Sequence, residues 1–240
     1  MKKIGILYIC TGKYRNFFNS FYESAEKYFM KDHEKTYYVF TDGEIYDKKN
    51  IVKIHQSYMG FPNDTLKRYH LFIKEFDKLI KEDYLFFINA NMICVSEIGN
   101  EILPNDENDN LMAVHHPGFY KSKPNLYTYE RNPLSQFYIP IGEGKHYYQG
   151  CFNGGRSKEF LEMSKILADL IDVDQSNNIL PIWWDESALN WYLKNKNPLL
   201  ANSGYSYPEG WSLPFDAKMV QRDKNKFGGY NFLRQTQYGN

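Results

Sequence analysis

Three groups of side chains in this sequence have types and spacings that could do chemistry. The first is Asp185-Glu186, directly after Trp183-Trp184. A carboxylate beside a large aromatic ring is a good stabiliser of an oxocarbenium-like centre, and local physics also favours Asp185 as the N-cap of the next helix. The second is Asn89-Ala90-Asn91, at the end of the apolar run Tyr84 to Val95. Residues two apart on an extended segment share a face, so both amides can project to one side where a buried strand ends. Ligands collect outside the carboxyl ends of strands in open α/β sheets, and this is where a sugar-nucleotide site places a pair of metal-binding aspartates. Here both positions are amides, which reads either as an Asx-type turn or as a donor-sugar site without its metal. The third group is the basic set Lys218, Arg222, Lys224, Lys226 and Arg234, set among Gly228-Gly229 and aromatic residues. It reads as a flexible tail able to fold over an anion, or as a solvated one.

A literal acidic pair, Asp172-Val173-Asp174, carries a different expectation. It comes after an amphipathic pattern and runs into Gln175-Ser176-Asn177-Asn178, so it reads as a hydrated loop with no strand to aim it into a cleft. His115 and His116 are poor joint metal ligands, because neighbours on an extended chain point oppositely. One of them bonding a sugar hydroxyl is the better reading.

Positioning these groups requires strands alternating with helices. Ile4 to Cys10 reads as a strand that turns at Thr11-Gly12-Lys13-Tyr14 into a helix, with Phe17, Phe18, Phe21, Ala25, Tyr28 and Phe29 at helical spacing. Such a turn offers backbone N–H groups to a phosphate or a ribose edge. Thr36 to Thr41 and Ile51 to His55 are further strands, the first ending at Asp42, which is either a ligand to ribose or a turn residue before Gly43. A helix is expected from Asn63-Asp64, with Leu66, Tyr69, Ile73, Phe76 and Ile80 on one stripe and Arg68 in its opening turns. Pro104 to Asn110 is a polar loop, and His115 to Tyr148 is irregular and aromatic, as binding loops are. Tyr147 to Gly155 reads as a strand closing in a Gly-Gly turn, with small residues at 150 and 151 leaving room for a ligand, and another helix begins at Arg156.

Composition sets the outer limits. Lys plus Arg and Asp plus Glu both total 29 in 240 residues, so no bulk charge argues for a nucleic-acid or membrane partner. Aromatic residues make up 18%; core filling accounts for most of them, and exposed rings with a polar handle suit stacking on sugar faces. The cysteines Cys10, Cys94 and Cys151 lack zinc-type spacing and read as reduced, buried thiols. Met1-Lys2-Lys3 leads straight into the first strand, with no signal-type apolar region and no spanning segment, so a cytosolic protein is expected.

Taken together, several stretches resemble family 6 glycosyltransferases, the retaining enzymes that include the blood-group A and B transferases and α1,3-galactosyltransferase. They are Thr11-Gly12-Lys13-Tyr14, His116-Pro117-Gly118-Phe119-Tyr120, Thr128-Tyr129-Glu130-Arg131, Tyr138-Ile139-Pro140-Ile141-Gly142-Glu143-Gly144, Tyr147-Tyr148, Gly154-Gly155 and Trp183-Trp184-Asp185-Glu186-Ser187, in family order across nearly the whole chain. The resemblance implies a GT-A fold, an α/β architecture with a Rossmann-like mixed sheet flanked by helices. It implies one catalytic domain over 1–240: a nucleotide-binding half (1–95), an acceptor-binding and catalytic half (96–215) and a basic C-terminal tail (216–240). It further implies a UDP-sugar donor, UDP-N-acetylgalactosamine or UDP-galactose, and α1,3 transfer to a β-galactoside, often fucosylated.

Carried over by position, Ile9, Cys10, Thr11 and Tyr14 would line the uridine pocket, with Asp42, Arg68 and Asp185 holding the donor. Asn89 and Asn91 stand where the family has metal-binding aspartates. Gln149, Gly150 and Cys151 fall where it separates galactose from N-acetylgalactosamine, and Gly150 favours the larger acetamido sugar. His116, Thr128, Trp183 and Asp185 fall on acceptor contacts. Glu186 matches the catalytic carboxylate, and Arg234, with Lys224 or Lys226, matches the basic residues brought to the diphosphate. Two departures shape the expectation. Amide oxygens are weak ligands for a hard cation, so transfer without divalent metal or other cofactor is expected, with fixed cations stabilising the leaving group. The membrane anchor and stem of the vertebrate members are not seen, which favours a prokaryotic-type cytosolic enzyme. A non-catalytic carbohydrate-binding protein is the reading from another class, and a retaining transferase with a different hexose donor is a third.

Overall fold

The computed structural model describes residues 1–234; positions 235–240, the end of the expected basic tail, lie outside the described residues. Among the described residues there are ten strands: β1 (Lys3–Ile9), β2 (Glu34–Thr41), β3 (Ile51–His55), β4 (Tyr84–Ile88), β5 (Met92–Cys94), β6 (Leu111–His115), β7 (Tyr148–Arg156), β8 (Leu199–Ala201), β9 (Tyr207–Pro208) and β10 (Met219–Gln221). The helices are α1 (Phe18–Tyr28), α2 (Asn63–Leu66), α3 (Arg68–Lys74), α4 (Phe76–Leu79), α5 (Ser157–Ser176), α6 (Asp185–Leu193) and α7 (Gly229–Leu233). Seven strands form a mixed sheet in the order β3-β2-β1-β4-β7-β6-β8, and β5-β10-β9 form a small second sheet. Strands β3, β2, β1 and β4 run parallel, and β7 runs antiparallel between β4 and β6. This is the GT-A-like arrangement of a mixed sheet flanked by helices.

Alternation along the central strands builds the two faces. Ile4, Ile6 and Tyr8 of β1 and Tyr84, Phe86 and Ile88 of β4 pack with Phe18, Phe21 and Ala25 of α1. Leu7, Leu85 and Phe87 point the other way, onto Tyr69 and Phe72 of α3, Phe160 and Leu167 of α5 and Leu189 of α6. Covering both faces explains why these strands read as continuous apolar runs.

Several sequence expectations are corrected. The run from Tyr84 to Val95 is not one strand: it breaks at Asn89, where Met92 N–H bonds the Asn89 carbonyl at 3.0 Å, and β5 leaves for the small sheet. That sheet takes β5, β9 and β10 from all three of the segments 1–95, 96–215 and 216–240. The helix expected from Asn63 is three short pieces, and Phe76 and Ile80 of its stripe are exposed while Leu71 and Leu79 are buried. β6, which no periodicity marked, completes the sheet through a bulge between Ala113 and Val114.

Asp172 and Asp174 lie in the last turns of α5, not in a loop. Asp172 holds Lys67 at 2.7 Å and His70 at 3.0 Å, and Asp174 is buried, accepting from Ser135 Oγ at 2.6 Å and Gln136 N–H at 2.7 Å. Both are committed to tying α5 to its neighbours. The described part of the expected tail is built into the fold through β10 and α7.

Gly154-Gly155 is strand interior and not a turn, paired with Phe86 and Leu85 on one side and Met112 and Leu111 on the other. The reason is close approach: a Cβ on Gly154 would stand 2.3 Å from Phe86 Cδ1 and 2.4 Å from the Leu85 carbonyl oxygen. Gly154→Val therefore forces backbone apart in the centre of the sheet. It is expected to destabilise by about 3 kcal/mol or more, read as a lowered urea midpoint, whereas Gly210→Val, where a Cβ meets nothing within 4 Å, should cost less despite its positive φ.

Candidate active site

The strand ends of β1, β4 and β7 open into a cleft of two adjoining hollows that share Thr65, Arg68 and Asn89. One hollow is walled by Ile9, Thr11 and Tyr14 on one side and by Tyr58, Phe61 and Phe87 on the other, with Lys224 and Arg234 over it. The second is lined by Gln149, Gly150 and Cys151 of β7, by Trp183 to Glu186, and by Gln221 of β10.

Arg68 joins the two. Its Nη1 lies 3.0 Å from Asp185 Oδ2 and donates to the Gly150 carbonyl at 2.7 Å, its Nε donates to the Thr65 carbonyl at 3.2 Å, and its plane lies 4.1 Å from the centre of the Phe87 ring. Both charges are nearly out of water, with 5% and 7% of their side chains exposed. The N–H of the same Gly150 donates to Glu186 Oε2 at 2.8 Å, so one peptide unit is held by the guanidinium on one side and by the carboxylate on the other. No side chain fits there: a Cβ on Gly150 would lie 2.8 Å from Asp185 Oδ2.

Trp184, just before α6, adopts φ 51° and ψ −119°. A bulky residue held at positive φ is strained, and the strain persists because its ring is wedged edge-on against Phe61, centroids 4.5 Å apart. The bend turns Asp185 and Glu186 into the cleft. Trp184 thus takes the cap position expected of Asp185, whose carboxylate serves Arg68 instead.

Burial raises the Asp185 carboxyl to about 6, with Arg68 opposing the shift. Burial raises Glu186 to about 7, opposed by the Gly150 N–H and reinforced by the charge of Asp185, with the Tyr147 hydroxyl as a further hydrogen-bond partner. At the other end burial lowers the Lys224 ammonium to about 8, and Arg234 and Arg68 add repulsion. The cleft therefore carries an acidic end and a basic end, bridged by Arg68.

With this geometry in hand, comparison with known proteins is decisive. A model for glycosyltransferase family 6 matches residues 2–234. This chain belongs to that family. It is 38% identical over 235 residues to the Escherichia coli O-antigen biosynthesis glycosyltransferase WbnI, covering 97% of this chain and 99% of that one. It is 33% identical over 205 residues to the rat histo-blood group ABO system transferase 2, and 32% over 207 to the chicken globoside alpha-1,3-N-acetylgalactosaminyltransferase 1. The match spans 60% and 58% of the length of those two animal proteins, and 81% of this chain in both. As a member of family 6, the chain is a glycosyltransferase. Among the described residues no helix is long and apolar enough to cross a membrane.

Most residues carried over from the family meet in this cleft: Ile9, Thr11, Tyr14, Arg68, Asn89, Lys224 and Arg234 on the first hollow, Gln149, Gly150, Cys151, Trp183, Asp185 and Glu186 on the second. His116 and Thr128 meet around Tyr147. Thr128 Oγ1 lies 3.2 Å from the Tyr147 hydroxyl, and the His116 ring stands edge-on to Tyr147 with centroids 5.5 Å apart. Burial, with His115 nearby, lowers His116 to about 4, so it is neutral, its Nδ1 accepting from Gly118 N–H at 3.0 Å.

Four residues go elsewhere. Cys10 alternates away from Ile9 and Thr11 into the core. Asp42 accepts from Gly12 N–H with both oxygens, at 2.9 and 3.0 Å, and lies 3.5 Å from Arg15 Nε, so it shapes the turn and does not reach the cleft. Lys226 pairs with Glu209 at 2.7 Å on the surface. Asn91 is buried and donates to the Arg222 carbonyl. The space expected beside Gly150 is filled by Asp185, and the Cys151 thiol is buried 3.0 Å from Ser206 Oγ.

Sequence reasoning passed over Tyr58, Phe61 and Phe87, which supply the aromatic wall, and Gln221, whose Oε1 accepts from Gln149 Nε2 at 3.2 Å. The cluster Tyr58-Met59-Gly60-Phe61-Pro62, aromatic rings around a glycine and a proline, was the available signal for a shaped loop.

The raised Glu186 carboxyl makes a signed prediction. An unfolded Glu titrates near ~4.3 and the folded one near about 7, so the fold pays for the charge as pH rises between those values and in full above them. Glu186→Gln keeps the acceptor for Gly150 and removes the charge. It should melt higher than the native chain at pH 8 and equally at pH 4; an unchanged difference across that range would contradict the shifted carboxyl.

Proposed function

We propose that the chain is a retaining α1,3-glycosyltransferase that moves N-acetylgalactosamine or galactose from a UDP-sugar to the 3-hydroxyl of a β-galactoside, fucosylated as in an H-type antigen. The observation that carries the reading is Glu186, held by the Gly150 N–H in the second hollow, which shares Arg68 with the hollow lined by Lys224 and Arg234. The family fixes the reaction class, and the names of the relatives, an O-antigen transferase, a blood-group transferase and a globoside α1,3-N-acetylgalactosaminyltransferase, support the acceptor and donor classes.

The aromatic hollow takes the uracil ring between Ile9, Tyr14 and Phe61, and the diphosphate extends toward Lys224, Arg234 and Arg68. As the bond from the anomeric carbon to the leaving oxygen breaks, negative charge grows beside those cations and positive charge grows over Glu186. In a front-face displacement Glu186 stabilises that positive charge; in a double displacement it is the nucleophile. Tyr147, bonded to Glu186 and Thr128, ties the acceptor wall to the same carboxylate.

Donor-set chemistry supports transfer without a metal. A divalent cation bridging two phosphates prefers carboxylates. At the corresponding positions stand two amides already engaged, Asn89 Nδ2 with Asn91 Oδ1 at 3.2 Å and Asn91 Nδ2 with the Arg222 carbonyl at 2.8 Å. These residues do not fit a metal clamp, and the cytoplasm is the compartment in which a free UDP-sugar pool would meet the enzyme.

Two assays bear on this. UDP release from candidate UDP-sugars, with and without 2′-fucosyllactose, should show acceptor-dependent turnover that survives exhaustive EDTA; binding without release would favour a carbohydrate-binding protein, and dependence on added manganese would refute metal independence. Glu186→Gln should lower turnover by orders of magnitude and leave UDP affinity near its native value, and near-normal turnover would remove Glu186 from its role.

A further inference from the structure

We propose that Asn91 is a positioning residue that latches the segment 219–234 onto the body of the protein, and that this task requires an amide and is lost with the carboxylate. The inference rests on the reading of the cleft as a nucleoside-diphosphate site.

The latch is built from the backbone outward. β10 runs antiparallel to β5, with Gln221 opposite Met92, Val220 opposite Ile93 and Met219 opposite Cys94. One residue further on, Asn91 takes over the pairing of Arg222 by itself. Its carbonyl accepts from the Arg222 N–H at 2.9 Å, and its side-chain Nδ2 donates to the Arg222 carbonyl at 2.8 Å. Both polar atoms of the Arg222 peptide are thus satisfied by a single residue, which is only 2% exposed. The Arg222 side chain completes the contact from the other side: Nη1 donates to Ser20 Oγ at 2.7 Å, Nη2 to the Phe17 carbonyl at 3.2 Å, and Nε reaches the Asn91 carbonyl at 3.4 Å.

Beyond Arg222 the chain forms the basic wall of the cleft. Lys224 is two residues on, its Nζ 5.3 Å from the centre of the Tyr14 ring and 5.0 Å from that of Tyr230. Arg234 lies at the end of α7, its guanidinium 3.5 Å from the centre of the Phe61 ring, and Tyr58 donates to its carbonyl at 2.5 Å. The bonds at Asn91 are the buried ones that fix the direction of the chain just before Lys224, and only the partly exposed bond from the Asp223 N–H to Glu209 Oε2, at 2.7 Å, follows them before that residue.

The chemistry of position 91 then decides between an amide and a carboxylate. A carbonyl oxygen needs a donor opposite it, and ionised aspartate has none. Asn91→Asp would set two acceptors against each other at hydrogen-bond distance in a buried place and leave the Arg222 carbonyl unsatisfied. A residue type that reads as a degraded metal ligand is on this view selected for its N–H.

The test uses the full chain and the binding of UDP and of uridine, so it is decided whether or not a sugar donor or acceptor is ever found. In both Asn91→Asp and Asn91→Ala, UDP affinity should fall about tenfold or more, as expected for losing a buried bond that positions charged groups. Uridine, which needs no cation, should bind as in the native chain, and added manganese should restore neither variant. Hydrogen exchange in Val220 to Phe227 should speed up in Asn91→Ala while β1 and β2 stay protected, which tells loosening of the segment from general unfolding should the Asp variant fold poorly. Native UDP affinity in Asn91→Ala, equal losses for UDP and uridine, or rescue of Asn91→Asp by manganese would each overturn the proposal.

Discussion

The cleft depends on a buried ion pair, Arg68 with Asp185. Removing two charges from water is costly and is recovered only when the remaining donors and acceptors are also satisfied. Arg68 meets that condition by adding the Gly150 and Thr65 carbonyls and the face of Phe87 to its contact with Asp185. The consequence is geometric. α3, β7 and the start of α6, three elements distant in sequence, are fixed to one guanidinium, and Glu186 is placed with them because it is the next residue after Asp185 and its oxygen meets the N–H of the same glycine. Were the pair absent, two adjacent carboxyls would share a buried place with no counter-charge, and one would take up a proton.

A chain with no net charge nonetheless builds a strongly polarised groove. Lys224 and Arg234 stand at one end, Asp185 and Glu186 at the other, and Arg68 lies between. Such a field suits a reaction in which an anion separates from an electron-poor carbon. Both partial charges develop where opposite fixed charges already stand, in a place where water screens them poorly. The balance of 29 basic and 29 acidic residues says nothing of this, since it is the placement and not the sum that acts.

What was legible in the sequence is what local rules govern. The strands of the parallel half, the two asparagines at a strand end and the carboxylate after Trp183-Trp184 are all read from periodicity and residue type. The rest depended on partners that a linear reading does not supply. Gly154-Gly155 has turn chemistry, yet the sheet uses it for close approach of Phe86. Asp185 has capping chemistry, yet a guanidinium from another helix claims it. Cys10 sits between two cleft residues and is excluded from the cleft by the alternation of its own strand. Arg222 and Lys226 look interchangeable in a basic tail, but one is buried beneath the site and the other pairs with Glu209 on the surface. Most residues named through the family resemblance line one cleft, because the resemblance carries tertiary information that pattern reading lacks.

The basic end poses one more physical question, which is why a fold would tolerate it. Lys224 loses hydration and faces Arg68 and Arg234, two like charges, so the three repel one another. No carboxylate makes an ion pair with Lys224 within 4 Å among the described residues, and the chain that carries it is held by hydrogen bonds at Asn91, by the aromatic faces of Tyr14, Tyr230 and Phe61, and by Glu209, which takes the Asp223 N–H and the Lys226 ammonium. Glu209 is engaged with Lys226 and not with Lys224, so the positive field over the groove is left unpaired. The work of gathering the cations is done during folding, before any substrate arrives, so an anion entering the groove would relieve a repulsion that already exists. Preorganised positive charge of this kind needs no reorganisation when an anionic leaving group departs.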